Sequence, residues 1–286
     1  MGRCALNLAL GKADLSHDVL DLIIAGDLQN QCVASSLGLG SFGIPYLGIY
    51  GACSTCTEGL LIMSSYLQGA RESVGACVTT SHNCAAERQF RTPIEYGAQR
   101  SPTSQWTATA AGSFLLSCRE DMISKKKRRA VVSEIMPGKI IDGVTSDGAN
   151  MGAAMSFAAA DSILSYFADT SHDPRSFDYI VTGDLGSVGS SILREILSER
   201  LPAAAPRHID CGLLLYDRER QDSHSGASGC GTSASVLASH LLPLIEEGKL
   251  GSILFLSTGA LMSPSSVLQG NSIYGVAPLV RIDSVE

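Results

Sequence analysis

The chain has 286 residues, of which 45% are hydrophobic, and it carries a net charge of −7 at pH 7. This length and hydrophobic content are enough for a sizeable core, and the acidic balance argues against a nucleic-acid partner. Nine scattered cysteines, several of them in apolar runs, are typical of reduced buried thiols rather than of a disulfide framework.

The first half is predicted to alternate strands and helices. A helix is expected from Ser54 to about Gln68, directly after a turn rich in small residues. Residues 82–106 contain Pro93 and Pro102 among many polar residues and are predicted to form a long loop. The predicted strands are the apolar runs 20–25, 44–49 and 75–80, with 131–141 as an outer strand, and 106–118 is a further apolar run rich in small residues.

The second half is predicted to begin with an alanine-rich helix over Met151–Phe167. A later helix over Gly231–Ile245 contains Pro243, which is expected to kink it or end it early. Strands are predicted at 179–182, 211–216, 253–259 and 276–282. Turn-forming residues near 145–150 place the boundary between the halves, giving the predicted domains 1–148 and 149–286.

The two halves carry the same motifs in the same order. The string Asp21-Leu-Ile-Ile-Ala-Gly-Asp-Leu28 recurs as Asp178-Tyr-Ile-Val-Thr-Gly-Asp-Leu185. Gly51-Ala-Cys-Ser54 and Gly226-Ala-Ser-Gly229 each precede a helix-like run. Tandem α/β units usually pack about a pseudo-twofold axis, so equivalent loops are expected to meet at one shared site.

Cys53 is the leading candidate for chemistry, because it lies at the first turn of a predicted helix. A helix N-terminus lowers the pKa of a thiol and attracts carboxylates, so Cys53 is either a nucleophile or an anion contact. The alternative is a small buried residue at a tight turn. Cys53-Ser-Thr-Cys56 has no second ligand pair, and neither a metal site nor a cofactor is predicted.

Further candidate ligand groups follow the strand that ends near Ser81. His82 could act as a base or a hydrogen-bond donor, or could equally be a structural residue. Arg91 could clamp a carboxylate, although a surface ion pair explains it as well. The basic run at 125–129 predicts a solvated loop or a contact with acidic lipid headgroups.

Strings along essentially the whole chain resemble the stage V sporulation protein AD family, a member of the thiolase-like superfamily. Among them are Ala25-Gly-Asp-Leu-Gln-Asn-Gln31, Gly51-Ala-Cys-Ser-Thr55, Thr80-Ser-His-Asn83, Asp210-Cys-Gly-Leu213 and Gly226-Ala-Ser-Gly-Cys230. The resemblance implies a five-layered α-β-α-β-α fold. It also implies binding of dipicolinate (pyridine-2,6-dicarboxylate), with calcium or without it, for uptake into the developing spore.

The resemblance carries further expectations. The partners would be the other stage V sporulation A membrane proteins, and the chain would form a homodimer. It would lie in the forespore cytoplasm, peripherally associated with the inner membrane of the spore. A further strand and helix precede the segment matching Asp14–Ala25 in the family, and residues 1–13 are too few to supply both, so these elements are expected to be missing.

Departures from the enzymatic thiolases favour binding over catalysis. Ser223 stands at the position of the thiolase histidine, and Ser257 at that of the second cysteine. A cysteine without its base and proton donor loses the activation that acyl transfer needs. We therefore predict no enzyme; the alternative is an acyl-transfer enzyme using Cys53, with His82 or His224 as base.

The expected ligand site uses the pseudo-twofold symmetry. Helix N-termini at Cys53-Ser54 and at Ser228-Gly229 would each present N–H groups to one carboxylate of dipicolinate. Arg91 would supply the charged donor. The strand-end residues Ser81, His82 and Ser257 are expected to line the same cavity.

Overall fold

Two mixed β-sheets form the framework of the protein, which a computed structural model describes over residues 1–90, 100–122 and 128–286. The strands are β1 Leu22–Gly26, β2 Tyr46–Gly48, β3 Val74–Ser81, β4 Trp106–Thr107, β5 Ala110–Ser117, β6 Arg129–Met136, β7 Ile141–Asp142, β8 Tyr179–Thr182, β9 His208–Asp210, β10 Ala227–Ser228, β11 Ser252–Leu256, β12 Gly259–Leu261, β13 Tyr274–Val276 and β14 Leu279–Val285. The α-helices are α1 Gly2–Ala13, α2 Val33–Leu39, α3 Thr55–Gly69, α4 Asn83–Phe90, α5 Met151–Thr170, α6 Gly186–Arg200, α7 Cys211–Leu215, α8 Cys230–Val236, α9 Leu242–Glu246 and α10 Pro264–Leu268.

The sheet topology repeats as the sequence does. In the first sheet the order is β2-β1-β3-β5, with β1 parallel to both of its neighbours and β5 antiparallel to β3. In the second sheet the corresponding strands are β9-β8-β11-β14, with the same directions, and β6 follows β14. The predicted duplication is therefore present in the strand order itself.

The strands of the first sheet present alternate side chains to two separate cores. Leu22 and Ile24 of β1 point into a core that also contains the apolar faces of α3, α8 and α9 and strands of the second sheet. Ile23 and Ala25 point the other way and pack with Leu6 and Leu10 of α1. This alternation follows from the two-residue period of a strand.

A third core lies on the outer side of the second sheet, where α5 and α6 pack. From one side to the other the layers are α1 with α2, the first sheet, α3 with α8 and α9, the second sheet, and α5 with α6. This arrangement confirms the predicted five-layered α/β architecture.

Two local predictions were wrong. Asn83–Phe90, in the segment predicted as a loop, forms α4. Cys211–Leu215, predicted as a strand, is helical because Asp210 caps it by accepting a hydrogen bond from the Leu213 N–H at 3.2 Å. The strand precedes it as β9, so an apolar run alone misplaced the boundary.

Pro243 affects its helix as predicted. Between α8 and α9 the backbone widens into a π-helical segment over Leu237–Leu241, and Pro243 lies in the first turn of α9. Proline has no N–H group to donate to the carbonyl one turn earlier, so the backbone hydrogen bonding of the helix changes just before Pro243.

The sheets do not follow the predicted division at residue 148. β6 precedes that position, yet it pairs with β14 in the second sheet along its length. Within the described ranges, no strand occupies the matching place beside β5 in the first sheet. α1 covers the outer face of β5 and β3. A division before β6 would keep each of the two main sheets whole.

None of the helices in the described segments is both long enough and apolar enough to cross a membrane.

Candidate functional site

The turn that carries Cys53 is tightly held between β2 and α3. Ala52 adopts a left-handed conformation (φ 51°), which is uncommon for a residue with a side chain. The turn is fixed by its own hydroxyls, since Ser54 Oγ donates to the Gly51 carbonyl at 2.6 Å and Thr55 Oγ1 donates to the Ala52 carbonyl at 2.7 Å. Cys53 is consequently placed by the backbone, with 6% of its surface exposed.

The corresponding turn of the second half carries Ser228. β10 ends at Ser228, Gly229 has a φ of 96°, and α8 begins at Cys230. A side chain at Gly229 would be strained by that φ and would also press on Ser81. Cys53 and Ser228 line the same cavity, as the duplication predicts.

Asp184 lies between these two turns and was missed by the sequence analysis. Its carboxylate accepts hydrogen bonds from the Gly229 N–H at 2.8 Å and from Thr258 Oγ1 at 3.1 Å. The Cys53 thiol lies close enough for the Asp184 carboxylate to raise its pKa. With 1% of its surface exposed, Asp184 brings the chain's own carboxylate to the place where a ligand carboxylate was expected.

A sequence signal for Asp184 did exist. It is the aspartate of the second Gly-Asp-Leu string, and its counterpart Asp27 is also buried. Asp27, however, bonds within its own half, accepting from Ser35 N at 2.7 Å and from Ser35 Oγ. The repeat therefore marks both aspartates, but only the structure shows which one reaches Cys53.

The electrostatics around Cys53 oppose a thiolate. Burial, followed by the Asp184 carboxylate, raises the pKa of the Cys53 thiol well above its ordinary value. Burial also raises the pKa of Asp184 to about 7. A cysteine nucleophile needs the opposite environment, in which a neighbouring cation or imidazole stabilises the thiolate.

No imidazole lines the cavity in the described part of the chain. Ser223, at the histidine position, lines a different cavity. His224 is held away in its loop, with Nδ1 at 2.8 Å from the Ser101 carbonyl and Nε2 at 2.8 Å from Asp222 Oδ1. His82 is exposed. The two histidines considered as bases for the acyl-transfer alternative thus lie outside this cavity.

The cavity is small and largely apolar, with a volume of about 40 Å³. That is room for about three water molecules. Its wall consists of Leu28, Tyr50, Ala52, Cys53, Ala86, Thr107, Met151, Ser228, Gly229, Ala260 and Met262.

The predicted ligand residues divide into three groups. Cys53 and Ser228 line the cavity. Ser54, Ser81 and Ser257 are buried and do not line it, which corrects the expectation for Ser81 and Ser257. The hydroxyl of Ser81 instead donates to the Ala108 carbonyl at 2.7 Å, and that of Ser257 accepts from Thr57 Oγ1 at 2.8 Å.

The third group is remote or undescribed. His82 is exposed and is not part of the cavity wall, so it too departs from the expectation. Arg91 lies outside the described residues. In the part of the chain that the structure covers, no cluster of three or more His, Cys, Asp or Glu side chains could hold a metal ion.

We predict that Cys53 reacts slowly with iodoacetamide at neutral pH, because burial and the Asp184 carboxylate both disfavour its thiolate. The exposed thiols of Cys4, Cys84 and Cys118 are internal references and should react much faster. Peptide mass spectrometry of a labelling time course measures each site separately. The Asp184→Asn variant should react faster at Cys53 than the parent does. Labelling of Cys53 ahead of the three exposed thiols would contradict this assignment.

Comparisons with known proteins agree with this fold. The Aquifex aeolicus VF5 3-oxoacyl-[acyl-carrier-protein] synthase III structure is 16% identical, with a TM-score of 0.60 over 98% of this chain and 83% of that one. The Xanthomonas campestris OleA structure with bound lauric acid and lauroyl-CoA is 11% identical, with a TM-score of 0.65 over 99% of this chain and 81% of that one. These likenesses establish the thiolase-like fold.

Sequence comparison identifies the family more narrowly. "Stage V sporulation protein AD" of Bacillus subtilis (strain 168) is 39% identical over 273 residues, which are 96% of this chain and 78% of that protein. The family model described as Stage V sporulation protein AD matches residues 1–283. The chain therefore belongs to the stage V sporulation protein AD family.

Proposed function

We propose that the protein binds dipicolinate without catalysing a reaction, in the cavity between the Cys53 and Ser228 turns, and thereby supports its uptake into the developing spore. Membership of the family supports a role in sporulation. The observation that carries the non-catalytic part is the environment of Cys53: a buried thiol beside a carboxylate, on a cavity with no imidazole in its described wall.

The position of the cavity supports a carboxylate ligand. It lies where the starts of α3 and α8 converge, and helix starts provide N–H groups and a positive partial charge. Asp184 already accepts a hydrogen bond from one of these groups, the Gly229 N–H. The helix starts are thus suited to carboxyl groups, and a bound carboxylate would lie near the Asp184 carboxyl group, which is buried behind the cavity wall.

Entry of a ring with two carboxylates requires the wall to open. The volume of about 40 Å³ is below that of most small-molecule sites. Met151 and Met262 belong to the wall, and methionine side chains change conformation at low cost. We infer that binding displaces these side chains while the Cys53 turn stays fixed.

The binding should depend on pH through Asp184. Because its pKa is raised to about 7, the carboxyl group is neutral below that pH and charged above it. A ligand with two negative charges favours the neutral form, so binding above pH 7 takes up a proton. We expect the affinity to fall by up to about tenfold per pH unit there. Calorimetry at several pH values measures this slope, which Asp184→Asn should flatten; a parent protein with constant affinity would refute the coupling.

Calorimetric titration with dipicolinate tests the proposal directly. Benzene-1,3-dicarboxylate, which lacks the ring nitrogen, and pyridine-2-carboxylate, which lacks one carboxylate, are matched control ligands. The proposal predicts saturable binding of dipicolinate that is tighter than that of either control. Absence of dipicolinate binding, with or without calcium, would refute it.

Acyl transfer through Cys53 is the second candidate, favoured by the mostly apolar wall and by the thiolase-like fold. One structural neighbour is described with bound lauric acid and lauroyl-CoA. Assays of thiolysis and condensation with acyl-CoA substrates separate the two candidates. Turnover above background that disappears in Cys53→Ser would establish the enzyme.

The partners and location belong to the same proposal: a homodimer that associates peripherally with the inner spore membrane through the stage V sporulation A membrane proteins. Exposed apolar side chains support the dimer, among them Leu37 of α2 at 81% exposure and Leu47 of the edge strand β2 at 48%. In the basic run, Lys125–Lys127 lie outside the described residues, and Arg128 forms an ion pair with Glu286 at 2.6 Å. Resistance of the association to high-salt and alkaline washing would contradict the peripheral location.

A further inference from the structure

The tip of a β-hairpin lies beside the cavity of Cys53. β12 and β13 form the hairpin, with Leu261 opposite Tyr274 as its last pair, and residues 262–273 join the two strands. The short helix α10 lies within this connection. Met262, at the start of the connection, belongs to the cavity wall. A change in the position of the hairpin tip therefore changes the wall of the cavity.

The hairpin tip is stabilised mainly by its own hydrogen bonds. Ser263 and Ser266 form a reciprocal capping box, in which the Ser266 N–H donates to Ser263 Oγ at 3.2 Å and the Ser263 N–H donates to Ser266 Oγ at 3.0 Å. Within the described ranges, the hydrogen bonds of residues 263–271 all join two members of that same segment. Compact surface loops of this kind, whose ends lie close together, are frequently functional. The tip can move as a unit without breaking hydrogen bonds to the rest of the fold.

Apolar contact at Gly148 holds the tip against the rest of the fold. A Cβ built on Gly148 would lie 3.2 Å from the methyl carbon of Met262 and 3.4 Å from a methyl carbon of Val267, so both side chains lie against this glycine. Val267 is partly buried, whereas its neighbour Leu268 is 82% exposed. Dispersion contacts are individually weak, so a segment held by a few of them opens at low cost in free energy.

Gly270 provides a hinge at the far end of the tip. Its φ of 77° lies in the left-handed region, which glycine adopts without strain, and a Cβ there would meet nothing within 4 Å. Backbone rotation at Gly270 therefore meets no steric obstacle. Lids commonly turn on a few loop residues that absorb such rotations. Rotation here would lift α10 from Gly148 and move Met262 out of the cavity wall.

We propose that the hairpin tip, residues 262–273, is a lid on the Cys53 cavity, which opens to admit a ligand and closes over it. The structure shows the closed position, with Met262 in the wall and a cavity of about 40 Å³. Opening gives access to Cys53, which is buried when the lid is closed. The lid rests on the proposed function only in that the cavity takes a ligand, whatever that ligand is.

A disulfide between the lid and Gly148 tests the proposal. In the double variant Gly148→Cys/Val267→Cys, a sulfur in place of a Val267 methyl group would lie near the new Cβ at position 148, as a disulfide requires. A buried thiol reacts while the surrounding structure is open, so iodoacetamide should label Cys53 at least about tenfold more slowly in the oxidised variant than in the reduced one. The exposed Cys4 and Cys84 should react equally in both forms. Peptide mass spectrometry follows each site separately.

Weakening the contact should have the opposite effect. Val267→Ala should raise the labelling rate of Cys53 by about threefold to tenfold, because less apolar contact keeps the lid closed. Leu268→Ala is the matched control, since it shortens the adjacent, exposed side chain and should leave the rate unchanged. Thermal unfolding of each variant, followed by circular dichroism, separates lid opening from a loss of global stability.

Three results would each overturn the lid. They are failure of the disulfide to form, equal labelling of Cys53 in the oxidised and reduced double variant, and equal labelling in Val267→Ala and the parent. Titration with dipicolinate is a separate experiment. Its failure to bind would refute the proposed ligand and leave the labelling results unchanged.

Discussion

Replacing Cys53 with leucine is expected to abolish dipicolinate binding, with a loss of at least about a hundredfold in affinity. The Cys53 side chain lines a cavity of only about 40 Å³, and its backbone is fixed by the hydroxyls of Ser54 and Thr55. The larger leucine side chain leaves no room in this cavity for a ligand. The surrounding residues are closely packed, so moving them to make room costs free energy. Calorimetric titration of the variant measures the loss.

Two further variants make the result interpretable. Cys53→Ala should weaken binding only modestly, because the backbone N–H groups at the start of α3 remain. Cys118→Leu introduces the same bulk at an exposed cysteine and should bind as the parent does. Parental affinity in Cys53→Leu would show that dipicolinate binds elsewhere, and the site assignment would then be wrong.

The sequence predicted the architecture because the motifs that indicate it occur once in each half. Asp21–Leu28 and Asp178–Leu185 each contain a strand followed by the same turn, and the matching strand orders of the two sheets follow from that duplication. Cys53 and Ser228 were placed together for the same reason. The small residues around Cys53 and Ser228 supported this placement, since small residues before the start of a helix predict a close turn.

The contacts between the halves could not be predicted in the same way. Asp184 and Asp27 occupy equivalent strings, yet Asp184 reaches Cys53 of the other half as well as Gly229 of its own, whereas Asp27 bonds to Ser35 in its own half. The difference arises from how the halves pack, which a repeat of local sequence does not encode. Asp184 and the cavity wall therefore emerged only from the structure.

Loop geometry limited the prediction for Ser223. Ser223 stands at the position of the thiolase histidine in the sequence, but it lines a separate cavity beside Trp106 and Tyr216. The left-handed conformation of His224 (φ 48°) and the ion pair of His224 with Asp222 set the course of this loop. The position of a residue in a motif predicts the region of the fold in which it lies. The direction of its side chain depends on the backbone conformation of the loop.

Gly189→Ala is expected to lower the free energy of unfolding by about 2–3 kcal/mol, an unusually large effect for one added methyl group. At the crossing of α5 and α6, a Cβ on Gly189 would overlap the backbone carbonyl of Gly152. Backbone cannot swing aside as a side chain can, so the helices must separate. Chemical denaturation followed by circular dichroism measures the difference.

Gly11→Ala in α1 is the matched control, because a Cβ there meets nothing within 4 Å. The same substitution should stabilise the protein at that position by about 0.5–1 kcal/mol, since alanine favours the helix. The crossing also positions the site: Met151, next to Gly152, lines the cavity of Cys53, and Asp184 precedes α6. Separation of the helices in Gly189→Ala should therefore weaken dipicolinate binding as well, whereas Gly11→Ala should leave it unchanged. Equal stability changes in the two variants would show that the α5–α6 contact is not the tight backbone crossing inferred from the structure.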